Sequence, residues 1–138
     1  MLIKETMSSK VETVSPNTSV QQCARMMRRM DIGALPVWEN GQLLGIVTDR
    51  DVCCRAIGDG RDPAAVEVRE IMSRDLSSCY DDDDCVEAAR LMKEKHLRRL
   101  PVINRQHALV GMVSVDDLAR YSHDLAGEIL ELAAPWPH

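Results

Sequence analysis

Apolar residues in the first part of the chain predict a helix followed by a hairpin of two strands. Between Val20 and Met30 they recur every three or four positions, which gives a helix one apolar face. Two strand-like runs, Ala34 to Trp38 and Leu43 to Thr48, flank Asn40-Gly41. Asn-Gly is typical of a tight hairpin turn because both residues tolerate a positive φ. The pattern after the hairpin predicts a second helix, from Asp49 to Ile57.

The same arrangement occurs twice along the chain. A β-branched stretch from Val11 to Val14 precedes the first helix, so the order is β-α-β-β-α. A shift of about 65 positions places Ile3 to Ser8 on Val68 to Ser73, and Asp51 on Asp117 once one inserted residue is allowed. We therefore expect one repeat in residues 1–60 and a second in 61–120. Residues 121–138 form a tail with a predicted helix over Asp124 to Leu132, closed by Pro135-Trp136-Pro137.

Composition and charge narrow the class of protein. The 138 residues carry a formal net charge of −5, and only 3% are aromatic. An acidic chain with few aromatic residues lacks both the charge and the stacking surface that nucleic-acid binding uses. The sequence has no run of 18 apolar residues and no secretory signal pattern. We expect a cytoplasmic protein that binds neither nucleic acid nor a membrane.

Cysteine and aspartate clusters do not predict a metal site. The five cysteines are an odd number without a Cys-x-x-Cys pair, so neither a disulfide framework nor a zinc site is indicated. Buried free thiols are the expectation, with redox activity of Cys53-Cys54 as the alternative. The acidic run Asp81 to Asp84 lacks the ligand spacing and the glycine of a calcium loop, and aspartates at this point favour the start of a helix.

The repeated motifs resemble those of a known family. Ala34 to Val37 and Gly45 to Asp51, with Arg99 to Val102 and Gly111 to Asp117, are similar to the paired motifs of tandem CBS domains. The likeness covers residues 3 to about 120 and includes small stand-alone bacterial proteins of the mycobacterial hypoxic-response type. It implies an α+β fold in which two β-α-β-β-α repeats, related by pseudo-two-fold symmetry, pack through their sheets into one module. It also implies a homodimer and an adenosine-containing ligand between the repeats.

Thr48-x-x-Asp51 and Ser114-x-x-Asp117 allow two interpretations. A hydroxyl followed three residues later by a carboxylate resembles a capping box, which only starts a helix. The family resemblance implies a second role, in which the aspartate binds ribose hydroxyls and the Ser or Thr lies near the ribose or phosphate. A helix N-terminus with unpaired N–H groups also suits phosphate.

The resemblance implies two unequal sites, each built from both repeats. The first comprises Thr48, Arg50, Asp51, Ile71 against the base, and Leu97, Arg98 and Arg99 from the second repeat. The second comprises Ser114, Asp117, Thr6 against the base, and Ile32, Gly33 and Ala34 from the first repeat. Arginines occur only in the first set, while Asp116 adds a negative charge beside the second. We expect AMP, ADP, ATP or NAD at the Asp51 site. The Asp117 site is expected to stay empty or to take a less anionic adenosyl ligand such as S-adenosylmethionine.

These features predict a regulatory sensor of adenosine nucleotides rather than an enzyme. Ligand binding would change the packing of repeats or subunits, and an effector protein of unknown identity would respond. One alternative is a structural dimerisation module that binds no ligand. A nucleotide-processing enzyme is the other, but the chain has no P-loop or Gly-x-Ser-x-Gly motif, and no base is evident near Thr48 or Ser114.

Overall fold

A hairpin followed by a helix start forms the centre of each half of the structure. The structure is a computed structural model that describes residues 1–74 and 77–133. The chain divides into two compact units. Glu12–Leu76 is called the continuous unit, and Met1–Val11 together with Ser77–His138 is called the two-segment unit. The fold is mixed α+β with two repeats, as the sequence predicts.

In the continuous unit, helix α1 spans Val20–Met30 and precedes an antiparallel hairpin. Strand β1 is Ala34–Glu39 and strand β2 is Gln42–Thr48. The turn residues Asn40 and Gly41 have φ angles of 53° and 76°, so the hairpin prediction from Asn-Gly is confirmed. Helix α1 begins where the hydroxyl of Ser19 accepts a hydrogen bond from the Gln22 N–H at 3.1 Å.

Two elements of this unit differ from the prediction. Val14 forms a single parallel bridge to Val37 instead of a strand, with its N–H donating to the Pro36 carbonyl at 3.0 Å. Helix α2 covers only Asp49–Asp51 and continues as a π-helical segment over Val52–Ile57. In that segment the Gly58 N–H donates to the Cys53 carbonyl at 2.8 Å, the five-residue spacing of a π-helix.

The two-segment unit repeats the plan with a third strand and an extra helix. Strand β3 (Cys79–Tyr80) pairs in parallel with β4 (Arg99–Ile103), which pairs antiparallel with β5 (Leu109–Ser114). The helices are α3 (Cys85–Lys95), α4 (Val115–Tyr121) and α5 (His123–Ala133).

The ends of α3 and α5 test two predictions about helix boundaries. Asp84 immediately precedes helix α3, and its carboxylate accepts the Val86 N–H at 2.9 Å, so the predicted helix start at the acidic run is confirmed. The terminal helix is confirmed, while Pro135-Trp136-Pro137 lies outside the described residues.

Each unit has its own aliphatic core. In the continuous unit, the buried residues include Val20, Leu35, Val37, Val47, Val68 and Ile71. In the two-segment unit they include Ile3, Met92, Leu100, Val102, Leu118 and Ile129. None of these residues is aromatic, in keeping with the composition. In the described part of the chain, no helix has the length and apolar character needed to cross a bilayer.

The first residues of the chain belong to the core of the two-segment unit. Ile3 is fully buried there, and Ser8 exchanges two backbone hydrogen bonds of 2.9 Å with Met112 on β5. Ser73 makes the matching pair of hydrogen bonds with Ile46 on β2 in the continuous unit. The compact units therefore do not follow the 1–60 and 61–120 limits of the sequence repeat. In each unit, a segment from the start of the other repeat completes the structure.

Candidate functional site

The carboxylate of Asp51 caps the helix that follows strand β2. The Asp51 N–H donates to the Thr48 hydroxyl at 3.1 Å, and the Thr48 N–H donates to Asp51 Oδ2 at 2.9 Å. Both halves of a capping box are thus present, because each side chain satisfies the backbone N–H of the other.

Asp117 is arranged in the same way in the two-segment unit. The Asp117 N–H donates to the Ser114 hydroxyl at 3.2 Å, and the Ser114 N–H donates to Asp117 Oδ2 at 2.9 Å. The capping interpretation is therefore confirmed for both motifs. In each box only Oδ2 takes part, so the other carboxylate oxygen remains to interact with something else.

The second oxygen of each carboxylate lies near an arginine from the same helical segment. Asp51 Oδ1 is 3.8 Å from Nε of Arg55, and Asp117 Oδ1 is 3.3 Å from Nη1 of Arg120. The Asp51 side chain is 14% exposed and the Asp117 side chain 12%. A carboxylate oxygen has two lone pairs, so Oδ1 can still accept a hydroxyl proton beside the guanidinium.

The residues that precede strands β1 and β4 lie against the helix start of their own unit. Gly33 accepts a backbone hydrogen bond from Asp49 at 3.0 Å, and Ala34 is paired with Thr48. In the two-segment unit, Arg98 accepts a backbone hydrogen bond from Val115 at 3.0 Å, and Arg99 is paired with Ser114. Ile32, Gly33 and Ala34 therefore share a unit with Asp51, and Leu97, Arg98 and Arg99 share a unit with Asp117.

The sequence analysis instead combined each aspartate with the strand start of the other repeat. Those combinations join residues of different units, so they stay predictions. The neighbours within each unit were missed, although the hairpin pattern could have found them. An antiparallel hairpin of two strands of similar length brings the start of its first strand beside the end of its second.

The two positions predicted to lie against the base make different contacts. The Thr6 hydroxyl donates to the Asp117 carbonyl at 3.0 Å, which ties the first segment of the chain to helix α4. At the equivalent position, Ile71 has a side chain only 1% exposed and packed in the core of the continuous unit. Its carbonyl accepts a hydrogen bond from Nη1 of Arg55 at 3.1 Å.

Three arginines predicted to bind phosphate are exposed. Arg50 lies on α2, and Arg98 and Arg99 lie at the start of β4. Within the described residues none of the three side chains forms an ion pair. Their charge is therefore not neutralised inside this part of the structure. Asp116, which follows β5, is exposed as well.

The acidic run is occupied by contacts within the protein. Asp82 pairs with Arg105 at 2.8 Å, Asp83 accepts the Tyr80 N–H at 3.0 Å, and Asp84 lies 3.6 Å from the amino group of Met1. The hydrogen bond from Arg105 holds the pKa of Asp82 below its usual range. These contacts favour the structural interpretation of the run.

The thiols fall into two groups. Cys23, Cys79 and Cys85 are buried, while Cys53 and Cys54 are exposed on the π-helical segment. Burial raises the pKa of Cys23 to about 11 and that of Cys79 to about 12. The buried thiols are therefore protonated and unreactive at neutral pH.

Comparison with known proteins identifies related sequences and structures. The sequence model of the CBS domain matches residues 3–56 and 68–124. The CBS domain-containing protein YhcV of Bacillus subtilis is 41% identical over 130 residues, which cover 93% of this chain and 91% of YhcV. The CBS domain pair of protein MJ0100, solved in complex with 5-methylthioadenosine and S-adenosyl-L-methionine, is 25% identical with a TM-score of 0.80. That match covers 90% of this chain and 97% of the MJ0100 chain.

A mycobacterial relative raises the question of zinc. Hypoxic response protein 1 of Mycobacterium tuberculosis is 34% identical over 120 residues, which cover 86% of this chain and 82% of the relative. A crystal structure of Hypoxic Response Protein I, with two coordinated zinc ions, has a TM-score of 0.79 at 31% identity and covers 88% of this chain and 98% of that chain. Among residues 1–74 and 77–133 of the present chain, no three His, Cys, Asp or Glu side chains are grouped as metal ligands.

The family assignment follows from two independent observations. The family match occurs twice and covers most of the chain, and its two copies coincide with the repeated hairpin and helix start seen in both units. The chain belongs to the CBS domain family and carries two CBS domains in tandem.

Proposed function

We propose that this chain is a regulatory protein that binds an adenosine-containing ligand, with the carboxylate of Asp51 accepting hydrogen bonds from the ribose hydroxyls. One observation carries the proposal. The capping box uses Oδ2 of Asp51, and Oδ1 is left at a partly exposed helix start beside a guanidinium. A carboxylate in that setting is held in place and still has an oxygen available for a ligand hydroxyl.

The same geometry at Asp117 supports a second ribose site in the other unit. The relative MJ0100 binds two adenosine-containing molecules, which supports this class of ligand. We propose AMP, ADP, ATP or NAD for the Asp51 site, and no ligand or a less anionic one, such as S-adenosylmethionine, for the Asp117 site. Ligand occupancy would act through conformational change or an effector protein rather than through a reaction at the site.

Calorimetric titration with adenosine, AMP, ATP, NAD and S-adenosylmethionine tests the proposal. Removing a charged hydrogen-bond partner costs about 1.5–3 kcal/mol, so Asp51→Ala should weaken binding about tenfold to a hundredfold. Asp49→Ala is the matched control, because Asp49 is an exposed aspartate on the same helix start that pairs only with the Arg50 N–H in the described structure. Circular dichroism of both variants separates loss of binding from loss of the helix cap.

Each alternative function predicts a different outcome of this titration. No binding across the panel would favour a structural module, and consumption of a nucleotide during incubation would favour an enzyme. Equal weakening in Asp49→Ala and Asp51→Ala would remove Asp51 from the site.

The proposed role of the arginines has its own test. If Arg99 binds phosphate, Arg99→Ala weakens the binding of AMP by about fivefold or more. The affinity for adenosine should stay unchanged, because only AMP carries a phosphate charge. Introducing Arg99→Ala into Asp117→Ala and, separately, into Asp51→Ala shows which carboxylate shares its ligand with Arg99. A loss of AMP affinity only in the Asp117→Ala background supports the predicted Asp51 site. A loss only in the Asp51→Ala background assigns Arg99 to the site in its own unit.

We also propose a homodimer. Large apolar side chains are exposed on helical segments of both units, namely Ile57, Val86, Tyr121 and Leu130. Such side chains are more favourably placed against a protein surface than in water. Sedimentation equilibrium measures the mass directly, and a monomer at all concentrations up to about 100 µM, well above micromolar affinity, would contradict this proposal.

A further inference from the structure

We infer that Arg55 is a positioning residue of the Asp51 site, and that it couples ribose binding to the chain segment over residues 68–74. The inference rests on the proposed function and adds how that site communicates with its surroundings. The whole argument lies within the continuous unit, to which Asp51, Arg55 and Ile71 belong.

A single guanidinium contacts both parts of the predicted site. Nε of Arg55 lies 3.8 Å from Asp51 Oδ1, and Nη1 donates to the Ile71 carbonyl at 3.1 Å. The planar guanidinium directs its donors along fixed and different directions, so one side chain can serve both acceptors together. Lysine has a single charged nitrogen and lacks this fixed geometry.

The two acceptors belong to different parts of the chain. Asp51 is on α2, while Ile71 follows the short 3-10 turn Val68–Glu70. Two residues later, Ser73 exchanges backbone hydrogen bonds with Ile46 on β2. Arg55 therefore connects the helix that holds the carboxylate to the segment that completes the sheet.

The position of Oδ1 gives the direction of the coupling. Oδ2 is fixed by the Thr48 N–H, and Oδ1 interacts with Arg55 at a distance longer than a hydrogen bond. A ribose hydroxyl that donates to Oδ1 restricts the rotation of the carboxylate. A restricted carboxylate keeps the guanidinium over the Ile71 carbonyl, so ligand binding should protect the 68–74 segment from opening. By thermodynamic linkage, opening of that segment should weaken ribose binding by the same factor.

In the two-segment unit two different residues make the contact with the aspartate carboxylate and the contact with the N-terminal segment. This unit therefore provides an internal comparison. There Arg120 contacts Asp117 Oδ1, and the Thr6 hydroxyl contacts the Asp117 carbonyl. In that unit the carboxylate oxygen and the segment at residues 3–8 are therefore contacted by different side chains. The coupling through one side chain is specific to the Asp51 site.

The local backbone is consistent with a special position for Arg55. It lies in the π-helical segment Val52–Ile57, whereas the equivalent helix α4 is regular. π-Helical turns are rare and occur frequently at functional sites. The wider turn is where the side chain reaches the Ile71 carbonyl.

The test compares two ligands that differ only in their ribose hydroxyls. Adenosine and 2′,3′-dideoxyadenosine are titrated into chains that carry Asp117→Ala, so that binding reports the Asp51 site. With Arg55 present, adenosine should bind about tenfold or more tightly than the dideoxy compound, as expected when a carboxylate loses its hydroxyl partners. In Arg55→Ala this ratio should fall to about threefold or less, whereas a general loss of structure would weaken both ligands alike. Arg25→Ala, an exposed arginine on α1, is the control and should leave the ratio unchanged.

Hydrogen exchange supplies the second measurement. Adenosine should slow exchange of amides in 68–74 in the chain with Arg55 and in Arg25→Ala. Arg55→Ala should lose this effect, and Arg55→Lys should keep part of the affinity but not the protection. If Arg55→Ala does not fold, Arg55→Gln replaces it, and because glutamine has no charge to pair with Asp51, the ratio and the protection should both fall as in Arg55→Ala.

The outcomes separate the two proposals. If the chain with Arg55 binds neither compound, or binds both equally, the proposed function fails and the inference fails with it. If that chain distinguishes the two ligands and Arg55→Ala retains both the ratio and the protection, the proposed function stands and the role of Arg55 is overturned.

Discussion

Asp51 and Asp117 show how one side chain can serve structure and ligand together. In both, Oδ2 satisfies a backbone N–H at the helix start and Oδ1 does not take part in the cap. The capping role and the proposed ribose role therefore use different atoms. A substitution at either aspartate affects stability as well as binding, which is why its test needs a control on the same helix.

At the same scale, the two groups of thiols lead to a prediction about reactivity and pH. At pH 8 iodoacetamide should modify Cys53 and Cys54 quickly and the three buried cysteines only after unfolding. Because the native pKa of Cys79 is raised from about 9.0 to about 12, the native state keeps a proton that the unfolded chain loses. The stability that this thiol contributes is complete below about pH 9 and declines as the pH rises toward 12.

Urea unfolding at pH 7, 9 and 10.5 measures this dependence. Cys79→Ala should show a smaller decline above pH 9 than the unsubstituted protein, because the variant lacks the titrating group. An identical decline in both proteins would contradict the assignment, and fast modification of all five thiols in the native state would contradict the burial pattern.

Among the elements, the hairpins could be predicted from sequence and the helix geometry after β2 could not. Asn40-Gly41 defines its turn through φ alone, and two strand-like apolar runs flank it, so local residues suffice. The π-helical turn at Val52–Ile57 carries no such local signal. Its residues have no common preference for a wider turn, and its contacts with Ile71 lie 16 residues away along the chain.

Gly45 allows a prediction about the packing of elements. A Cβ at Gly45 would lie 2.5 Å from the Ser73 carbonyl oxygen and 2.9 Å from Sδ of Met72. The backbone of β2 and the 68–74 segment would have to separate, so Gly45→Ala should reduce the free energy of unfolding by about 1–3 kcal/mol. Gly127, on helix α5, has no heavy atom within 4 Å of the position that a Cβ would occupy.

Gly127→Ala is the matched control, because alanine is favoured over glycine within a helix by about 0.5–1 kcal/mol. The two variants should therefore change the midpoint of urea unfolding in opposite directions. A stabilising Gly45→Ala would show that the close approach of the two segments is not required.

At the scale of the whole molecule, the sequence repeat does not determine which residues form a core together, because segments that are distant along the chain pack in one unit. Ile3 is fully buried in a core formed otherwise by residues beyond 77. Replacing it with alanine should cost about 2–5 kcal/mol, as for other large buried aliphatic residues. Lys4→Ala, which changes an exposed neighbour, should stay within about 0.5 kcal/mol.

Hydrogen exchange locates the effect of Ile3→Ala. Protection should fall in residues 1–11 and 77–133 more than in 12–74, because the residues of each core belong to one unit. A uniform loss of protection along the chain would show that the two cores do not open separately.

The candidate site was predictable in its residue types and only partly in its neighbours. Thr48, Asp51, Ser114 and Asp117 were identified from the repeated motif, and the structure places them together in two capping boxes. The contacts of Thr6 with Asp117 and of Arg55 with Ile71 were not predicted. Both contacts join residues that are distant along the chain. A pattern of neighbouring residues does not show which distant segment will pack against a helix start.

The position of residues 1–11 also affects the order in which the protein can be made. A ribosome releases these residues first, but the strand and helices against which they pack are translated only after residue 77. The continuous unit contains all of its own core and can form as soon as residue 76 has left the exit tunnel. Throughout that interval Ile3 lacks the core that buries it, so the nascent chain exposes this apolar side chain until the residues of that core beyond 77 have been made.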